Sequence, residues 1–578
     1  MIIPNQMKNK MGCDLLALSI CLALIASGVA VDATLGNDTL NPDTMSSHSI
    51  IHVPDDFAKI QGAVDNAIAG DTIIVRGGTY NENVKVNKRL TIRSDKGPAH
   101  TTVVAEKANA HVFDVTVDYV SIKGFTVKNA IGKNEAGRYI YAGMHIHADH
   151  CNITDNRAVG NAYGFFLSDS TKNTIRNNTA SDNYGDSIYL NYSNSNTISY
   201  NDVVKSNYRN GIRLWHSHDN TVYNNDVALN NQYGIRLDYA HDNLLVQNKA
   251  RSNNRDGYSL DYSNNNILIN NIANMNNEIG ISLIHSNENT LINNTASANN
   301  EVGISLEASC NSTLKNNRMD GNYYNFGVTG DNVYHFTQSI DASNLVDGKS
   351  VYYWVGQRNR VIPNDAGFVC IVNSLNITAR DLTLTKNSVG VLLVYSMLSR
   401  IENVSTSNNY DGIALSASCN NILINNSNTN NKRGISLGAS NFNLLAMNTN
   451  LNNPDGVVLT SSNNNFLTMN NISNCENRGI LVRNSLNNII CLNNFVNNFD
   501  NVCTLSSATT WNSISEITYV YNKTTYTNYM GNYWAVYIKE IERDTDGNGI
   551  GDHPYHISID NRDIYPLMKP FEDYSYVT

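Results

Sequence analysis

The feature that most limits what this chain can fold into is a phrase, Gly-Ile-x-Leu or a close variant with an asparagine-rich tail, that returns every 23 or 24 residues between about Gly143 and Phe326. Its closing leucines are Leu167, Leu190, Leu214, Leu237, Leu260, Leu283 and Leu306. A fixed period of this length marks stacked supersecondary units, each too small to bury its own apolar face.

The unit reads residue by residue. Ile212 and Leu214 alternate with Arg213, and Ile235 and Leu237 with Arg236, the period-two pattern of a strand with one buried face. Three asparagine rows follow: Asn173, Asn196, Asn220, Asn243, Asn266 and Asn289; then Asn178, Asn201, Asn225, Asn248, Asn271 and Asn294; then Asn183, Asn207, Asn230, Asn253, Asn276 and Asn299. Between the first two rows lies an apolar position, Ile175, Ile198, Val222, Leu245, Leu268 and Leu291. Asparagine tolerates left-handed backbone, so each row is a corner. Three short strands and three corners per unit predict an all-β chain wound as a right-handed parallel β-helix of the pectin-lyase type, with 22–24 residues per coil. Stacking at about 4.8 Å aligns like residues, which places apolar columns inside and asparagine ladders at the bends. Periodic Ile and Leu exclude a disordered asparagine-rich tract. A leucine-rich-repeat horseshoe would need a longer consensus and a helical segment.

At 578 residues the chain is long for one globular core, but a solenoid escapes that limit. The net charge of −10 leaves no basic stripe for a nucleic-acid partner. Residues 1–33 read as a signal peptide: Lys8 and Lys10 precede an apolar stretch from Leu15 to Val29, with small residues about Ala26–Ala33 as the cleavage region. No later stretch is apolar enough to insert stably in a membrane, so the expected location is secreted or at the cell surface. Asn-x-Ser/Thr sequons at Asn152, Asn177, Asn191, Asn293, Asn376, Asn403, Asn471 and Asn522 fit an exported glycoprotein. Outside the signal, which holds Cys13 and Cys21, seven single cysteines with no CxxC predict no disulfide framework.

Along the rest of the chain, a linker spans 34–50, and a cap with early coils spans 51–142. In the cap, Asp55 is the expected N-cap of an amphipathic helix carrying Phe57, Ile60, Val64, Ala67 and Ile68 and stopping at Gly70. This helix plugs the open end of the solenoid. Thr72–Val75, Val84–Val86, Leu90–Arg93, Val112–Val115 and Val120–Val127 read as early strands, and 129–142 as a corner loop. Regular coils occupy 143–328. An insertion at 329–365 decorates or interrupts the helix, and a second run of coils fills 366–503, with glycines at 390, 412, 434, 456 and 479. In the tail, 504–578, Asp544, Asp546, Asn548, the Ile550 carbonyl and Asp552 stand at positions 1, 3, 5, 7 and 9 of a calcium loop with glycine at 6. Position 12 is Tyr555, leaving Asp560 or Asp563 to substitute for the missing glutamate. The alternative is a solvated turn.

The opening IHVPDDFAKIQGAVDNAIAGDTIIVRGGTYNENVKV, the GIRL and GISL coils and the closing GNYWAVYIKEIERDTDGNGIGDHPY resemble exported β-helix proteins of the NosD-like family and the wider group of carbohydrate-binding proteins and sugar hydrolases. The tail and sequons are similar to those of archaeal cell-surface members. The resemblance covers nearly all of the mature chain and implies the fold. Solenoids of this type host lyases, hydrolases, epimerases and non-enzymatic binders alike, so the resemblance fixes no single activity.

Reading outward positions coil by coil gives a candidate face. Arg213, Trp215, Arg236, Asp238 and Asp261 should crowd one patch, with Tyr239, Tyr262, Asp169 and His216 at its edge. Aromatic faces, carboxylates and arginines suit a polysaccharide or cell-envelope glycan. As catalysts, Asp238 and Asp261 would be the carboxylate pair of a hydrolase, while Arg236 or a histidine could abstract a proton beside a uronate in a lyase or epimerase. Alternatively Arg236 and Asp238 merely neutralise one another. A second constellation is His216, His218 and His241, with His218 and His241 about 5 Å apart by stacking. The family resemblance makes these candidate copper ligands; a surface ladder is the other reading.

Overall fold

The structure, a computed structural model, describes residues 48–206, 208–536, 543–558 and 560–577. The signal peptide and Cys13 and Cys21 lie outside the described residues. Described strands wind as parallel coils, each contributing one strand to each of three sheets. The columns are in register: Leu167, Leu190, Leu214, Leu237, Leu260, Leu283 and Leu306 pair one coil to the next and are fully buried. Ile175, Ile198, Val222, Leu245, Leu268 and Leu291 form a second buried column. The phrase opens on glycine for a steric reason. A β-carbon on Gly280 would lie 2.5 Å from the Gly303 carbonyl oxygen of the next coil, and one on Gly234 2.6 Å from that of Gly257.

The corners are hydrogen-bonded ladders. The backbone N–H of Asn220 donates to Oδ1 of Asn243 at 2.9 Å, and that of Asn243 to Oδ1 of Asn266 at 2.9 Å. The amide of Asn243 donates in turn to the Ser217 carbonyl at 3.1 Å. Each buried asparagine thereby satisfies backbone groups that the turn would otherwise orphan. The third row departs from the sequence reading at one coil. Asn207 falls outside the described residues, and the rung is Ser206, whose N–H donates to Oδ1 of Asn230 at 2.9 Å.

The N-terminal cap differs from expectation in its start. Helix α1 spans Ile60–Asn66, preceded by Lys59 with no side-chain cap. Its first N–H groups, on Ile60 and Gln61, donate to the two carboxylate oxygens of Glu82, both at 2.9 Å. Asp55 pairs instead with Arg76. A carboxylate reaching over from the next coil therefore does the capping. Ile60, Ala63 and Val64 are buried on the first coils, whereas Ile68 is 52% exposed. The stretch Val120–Val127 is two strands, Ser121–Lys123 and Thr126–Lys128, separated by a left-handed corner at Gly124.

At 329–365 the chain closes one run of coils and reverses. Strands Ser339–Ile340 and Leu345–Val346 finish the first run. Asp347 and Gly348, both at positive φ, then make a two-residue hairpin that sets Lys349–Val355 antiparallel to Leu345–Val346. The second run stacks on that returning strand. Ala366–Val372 is buried on both faces: Phe368, Cys370 and Val372 belong to the first core, Val369 and Ile371 to the second. Val369 and Ile371 begin the second core, which ends under Phe495, Trp511 and Trp534. Beyond it the hairpin Ile517–Tyr521 and Thr524–Asn528 and the strand Ser575–Tyr576 form a separate three-stranded antiparallel sheet. The seven described cysteines are unpaired. Burial pushes the thiols of Cys475 and Cys491 up to about 12, so they are inert apolar packing.

Candidate functional site

Strands Ile188–Asn191, Ile212–Trp215, Ile235–Asp238, Tyr258–Asp261 and Ile281–Ile284 lie side by side and carry the face foreseen from the sequence. Arg213, Arg236, Asp238 and Asp261 do meet there. Asp238 is buried with both oxygens engaged: Nε of Arg213 donates to Oδ2 at 2.9 Å and Nε of Arg236 to Oδ1 at 2.8 Å. Arg236 also stands 3.7 Å from Asp261. Arg213 lies over the ring of Trp215 at 4.7 Å, covering one face. The face holds a further acid that the sequence reading passed over. Asp186 is fully buried; its Oδ1 accepts from the N–H and amide of Asn210 at 3.0 and 2.7 Å, and Oδ2 is 3.9 Å from Arg213. Burial raises the Asp186 carboxyl, against the pull of Arg213. A carboxylate clamped by two half-buried guanidinium groups is a structural anion, with no oxygen free to attack or to carry a proton to a substrate.

The left-handed corner at the end of each of these strands carries a column of rings. Tyr192, His216, Tyr239, Tyr262 and His285 have φ between 45° and 50°. Their centroids stack at 5.0, 5.0, 5.2 and 4.8 Å. Asp169 holds the same corner one coil before Tyr192. Ring faces therefore meet ring faces, so Tyr239 and Tyr262 present edges and hydroxyls to solvent. Trp215 packs edge-on against His216 and Tyr239.

Two residues further along each coil runs a row of acceptors. Nδ1 of His218 accepts from the His241 N–H at 3.1 Å, and Nδ1 of His241 from the Asn264 N–H at 3.0 Å. Oδ1 of Asn264 accepts from the Asn287 N–H at 2.7 Å, and Oδ1 of Asn287 from the Cys310 N–H at 2.8 Å. The two imidazoles thus serve as rungs in place of asparagine, stacked at 5.1 Å. Since Nδ1 is the acceptor, each neutral ring carries its proton on Nε2. His216 stands apart from them in the ring column.

Between the ring column and this row lies an open cleft of about 640 Å³, lined by Tyr239, Tyr262, His285, His241, Asn264 and Asn287 along its length. Asn332, Tyr334 and His335 close one end. They belong to a 3-10 turn, Val333–Phe336, fixed by Asn332, whose side chain accepts from the N–H of Tyr334 and His335. His285 is reached by adding one period of 23 to Tyr262; the wall, in the aperiodic insertion, has no such signal.

At the first coils a different network appears. Nδ1 of His145 is 2.8 Å from Asp114, and Nε2 is 2.9 Å from the Ser168 hydroxyl. His111 stacks on His145 at 4.2 Å, and burial with the facing His145 pushes its pKa down to about 4. His111, Asp114 and His145 form a three-residue cluster of metal-ligand type among the described residues. Nδ1 of His111 accepts from the Ala142 N–H at 2.9 Å, so its proton too sits on Nε2. Asp114, His145 and Ser168 have the connectivity of a nucleophile relay, but the amide after the serine, a usual oxyanion donor, is spent: Asp169 N–H donates to the Asn191 carbonyl at 3.0 Å.

In the C-terminal loop, Asp544 turns inward on its own backbone, accepting from the N–H of Asn548 at 3.0 Å and of Gly549 at 2.8 Å. The Asn548 amide donates to Asp546 at 2.8 Å. Asp552 accepts from the Thr545 N–H at 3.2 Å. Ile550 is buried in the terminal core. Asp563 is not available to this loop: its Oδ2 accepts from the N–H of Asn532 at 2.7 Å and from Nε1 of Trp534 at 2.9 Å.

These coils, ladders and lateral clefts define a parallel β-helix repeat protein. The sequence profile of the family described as "Periplasmic copper-binding protein (NosD)" matches residues 64–249, 206–338 and 327–538, and the chain belongs to that family. Among solved structures, the Azotobacter vinelandii mannuronan C-5 epimerase AlgE6 A-module is 15% identical, with a TM-score of 0.39 over 60% of this chain and 94% of that one. The periplasmic alginate epimerase AlgG is 16% identical, with a TM-score of 0.36 over 51% and 82%. DFA-IIIase from Arthrobacter chlorophenolicus A6 is 13% identical, with a TM-score of 0.35 over 50% and 88%. No curated protein matches the chain. Among the described residues no helix is long and apolar enough to cross a membrane.

Proposed function

We propose that the chain is an exported cell-envelope β-helix protein that holds carbohydrate in the cleft between the ring column and the histidine–asparagine row. The observation that carries this reading is the cleft itself. One wall is a register-locked series of Tyr and His edges and the other a series of amides and imidazoles, a mixture suited to hydroxyl-rich ligands. Its walls are set by the solenoid, so little ordering is needed on binding. Sequon asparagines Asn177, Asn293, Asn376, Asn403 and Asn522 sit exposed at left-handed corners, where an exported chain could carry glycans. Asp238, Asp261 and Arg236 are assigned to holding the face together and not to catalysis. Copper, which the family description names, does not fit His216, His218 and His241: two of the rings spend Nδ1 on backbone N–H groups and carry protons on Nε2. The same holds for His111 in the cluster with Asp114 and His145. Calcium is proposed for Asp544, Asp546, Asn548, Ile550 and Asp552, as a clip on the C-terminal cap.

A glycan array tests the reading. Tyr239→Ala with Tyr262→Ala should abolish a signal that the wild type gives, while Arg236→Ala should retain it. A wild type that binds no glycan, or a double variant that binds as well, would remove the proposal.

A further inference from the structure

The ring column stops short, and the next corner of the solenoid is shaped to receive one more ring. His285 stacks on Tyr262 with one face, and its other face looks along the solenoid toward the same corner of the next coil, which is Ala308. Ala308 has φ 46°, the conformation of every ring-bearing corner before it, but offers only a methyl group. One coil further the corner is Gly330, since Glu307 pairs with Thr329. A β-carbon there would lie 2.3 Å from Cβ and 2.8 Å from Nδ1 of His335. The His335 side chain thus packs against Gly330, where it lines the cleft beside the Asn332 amide.

The column consequently ends on the free face of His285, with an empty place over Ala308 beyond it. At about 4.8 Å per coil, a ring set over Ala308 would stand one stacking distance from His285, in the cleft that His335 also lines. The rings already in the column are 4.8–5.2 Å apart, so the vacancy matches the pitch the molecule uses itself. His335 is held by its own turn: Nδ1 accepts from the Asp331 N–H at 3.2 Å, and Asn332 caps the segment. Asn287, Cys310 and Asn332 line the inner side of the cleft and the Tyr334 side chain its rim. Neither Arg, Lys, Asp nor Glu lines it.

We propose that the place over Ala308 is a subsite for a neutral pyranose ring, stacked on His285 with Asn332 and His335 beside it. An aliphatic ring with C–H groups on its faces and hydroxyls at its edge suits an imidazole face on one side with amides around. The absence of charged lining residues selects against uronates. The assignment rests on the carbohydrate reading of the cleft and names its anchoring point.

The molecule supplies its own test, because tyrosine occupies this corner at Tyr192, Tyr239 and Tyr262. Ala308→Tyr should extend the column, fill the vacancy and leave the melting temperature unchanged or higher. Titration calorimetry on the full chain would use neutral gluco-, manno- and galacto-oligosaccharides, with oligogalacturonate as the charged control. Ala308→Tyr should weaken the best neutral ligand at least tenfold, and Ala308→Ser should bind within twofold of wild type. Equal binding by Ala308→Tyr overturns the subsite while leaving the cleft reading intact. A wild type that binds none of the sugars overturns both. Preference for oligogalacturonate, or displacement of the sugar by p-nitrophenol alone, overturns the neutral-pyranose assignment.

Discussion

In the first run of coils the outward residue before the column leucine is Tyr189, Arg213, Arg236, Ser259 and Ser282 in turn, and the corner beyond it carries Tyr192, His216, Tyr239, Tyr262 and His285. In the second run the same outward position holds Leu392, Ala414, Ser436, Val458 and Leu481, and the corner carries Tyr395, Ala417, Ala439, Ser461 and Asn484. Interiors differ in the opposite sense. The third-sheet column of the first run is Ala180, Val203, Val227, Ala250, Ala273 and Ala296, all buried and apolar. Its second-run counterpart includes Thr406, Asn428 and Asn450, hydrogen-bonded in sequence at 2.8 and 3.1 Å, with the Asn450 amide nitrogen left without a partner. Both runs keep the corner asparagines, which pair backbone groups and so cannot vary freely. Outward positions answer to no such constraint, so ligand chemistry can collect on one run alone.

The largest effect separating the two runs is expected at their buried ion pairs. Asp238→Ala leaves Arg213 and Arg236 only their longer contacts to Asp186 at 3.9 Å and Asp261 at 3.7 Å and should cost about 3 kcal/mol without altering glycan affinity. Asp411→Ala in the second run, which strands Arg433, should cost a similar amount. Chemical denaturation with a glycan titration checks both, and a change in affinity with Asp238→Ala would return that acid to the binding site.

A pH effect of similar size belongs to the first run. Burial raises the Asp256 carboxyl to about 7, and the nearby Glu278 and Glu301 add to this. The folded chain thus holds a proton that the unfolded chain releases near pH 4. Stability from this group is full below that value, declines as pH rises toward 7 and is flat above it, a loss of about 4 kcal/mol. Asp256→Asn keeps an acceptor for the Ile279 N–H, as Asn210 does at this position two coils earlier, and should flatten the slope. Denaturation midpoints from pH 4 to 8 decide it.

At the far end, calcium at a hundredfold excess over its dissociation constant should stabilise the chain by about 2.7 kcal/mol, and Asp544→Ala with Asp546→Ala should remove the effect. Scanning calorimetry with calcium and with chelator is the check. The smallest change is Asn248→Ala, which leaves the buried Asn225 N–H unpaired and removes a donor to the Val222 carbonyl, and should cost about 1–3 kcal/mol. Asn448→Ala, its second-run counterpart, should match it.

Whatever the period controls was legible in the sequence. The columns through Leu214 and Ile198 and the asparagine ladders are set by spacing, as are the neighbours Arg236, Asp238 and Asp261. The roles of those neighbours were not legible, because whether Asp238 is free or clamped depends on rotamers reaching across coils. His218 and His241 illustrate the same limit, since only the bond from each succeeding N–H shows them standing in for asparagine. Aperiodic pieces escaped altogether. Glu82 caps α1 from another coil, and the Asp347-Gly348 hairpin, though a strong turn signal, lay inside an apparent insertion. His335 lines the cleft only because Gly330 makes room for it.

The most direct measurement is a crystal structure of the full chain with its best-binding oligosaccharide. The account requires a pyranose ring over Ala308, stacked on His285, with the rest of the glycan running past Tyr262 toward Tyr239. A ligand seated on the Arg213–Asp238 face, or anywhere on the second run, would contradict it.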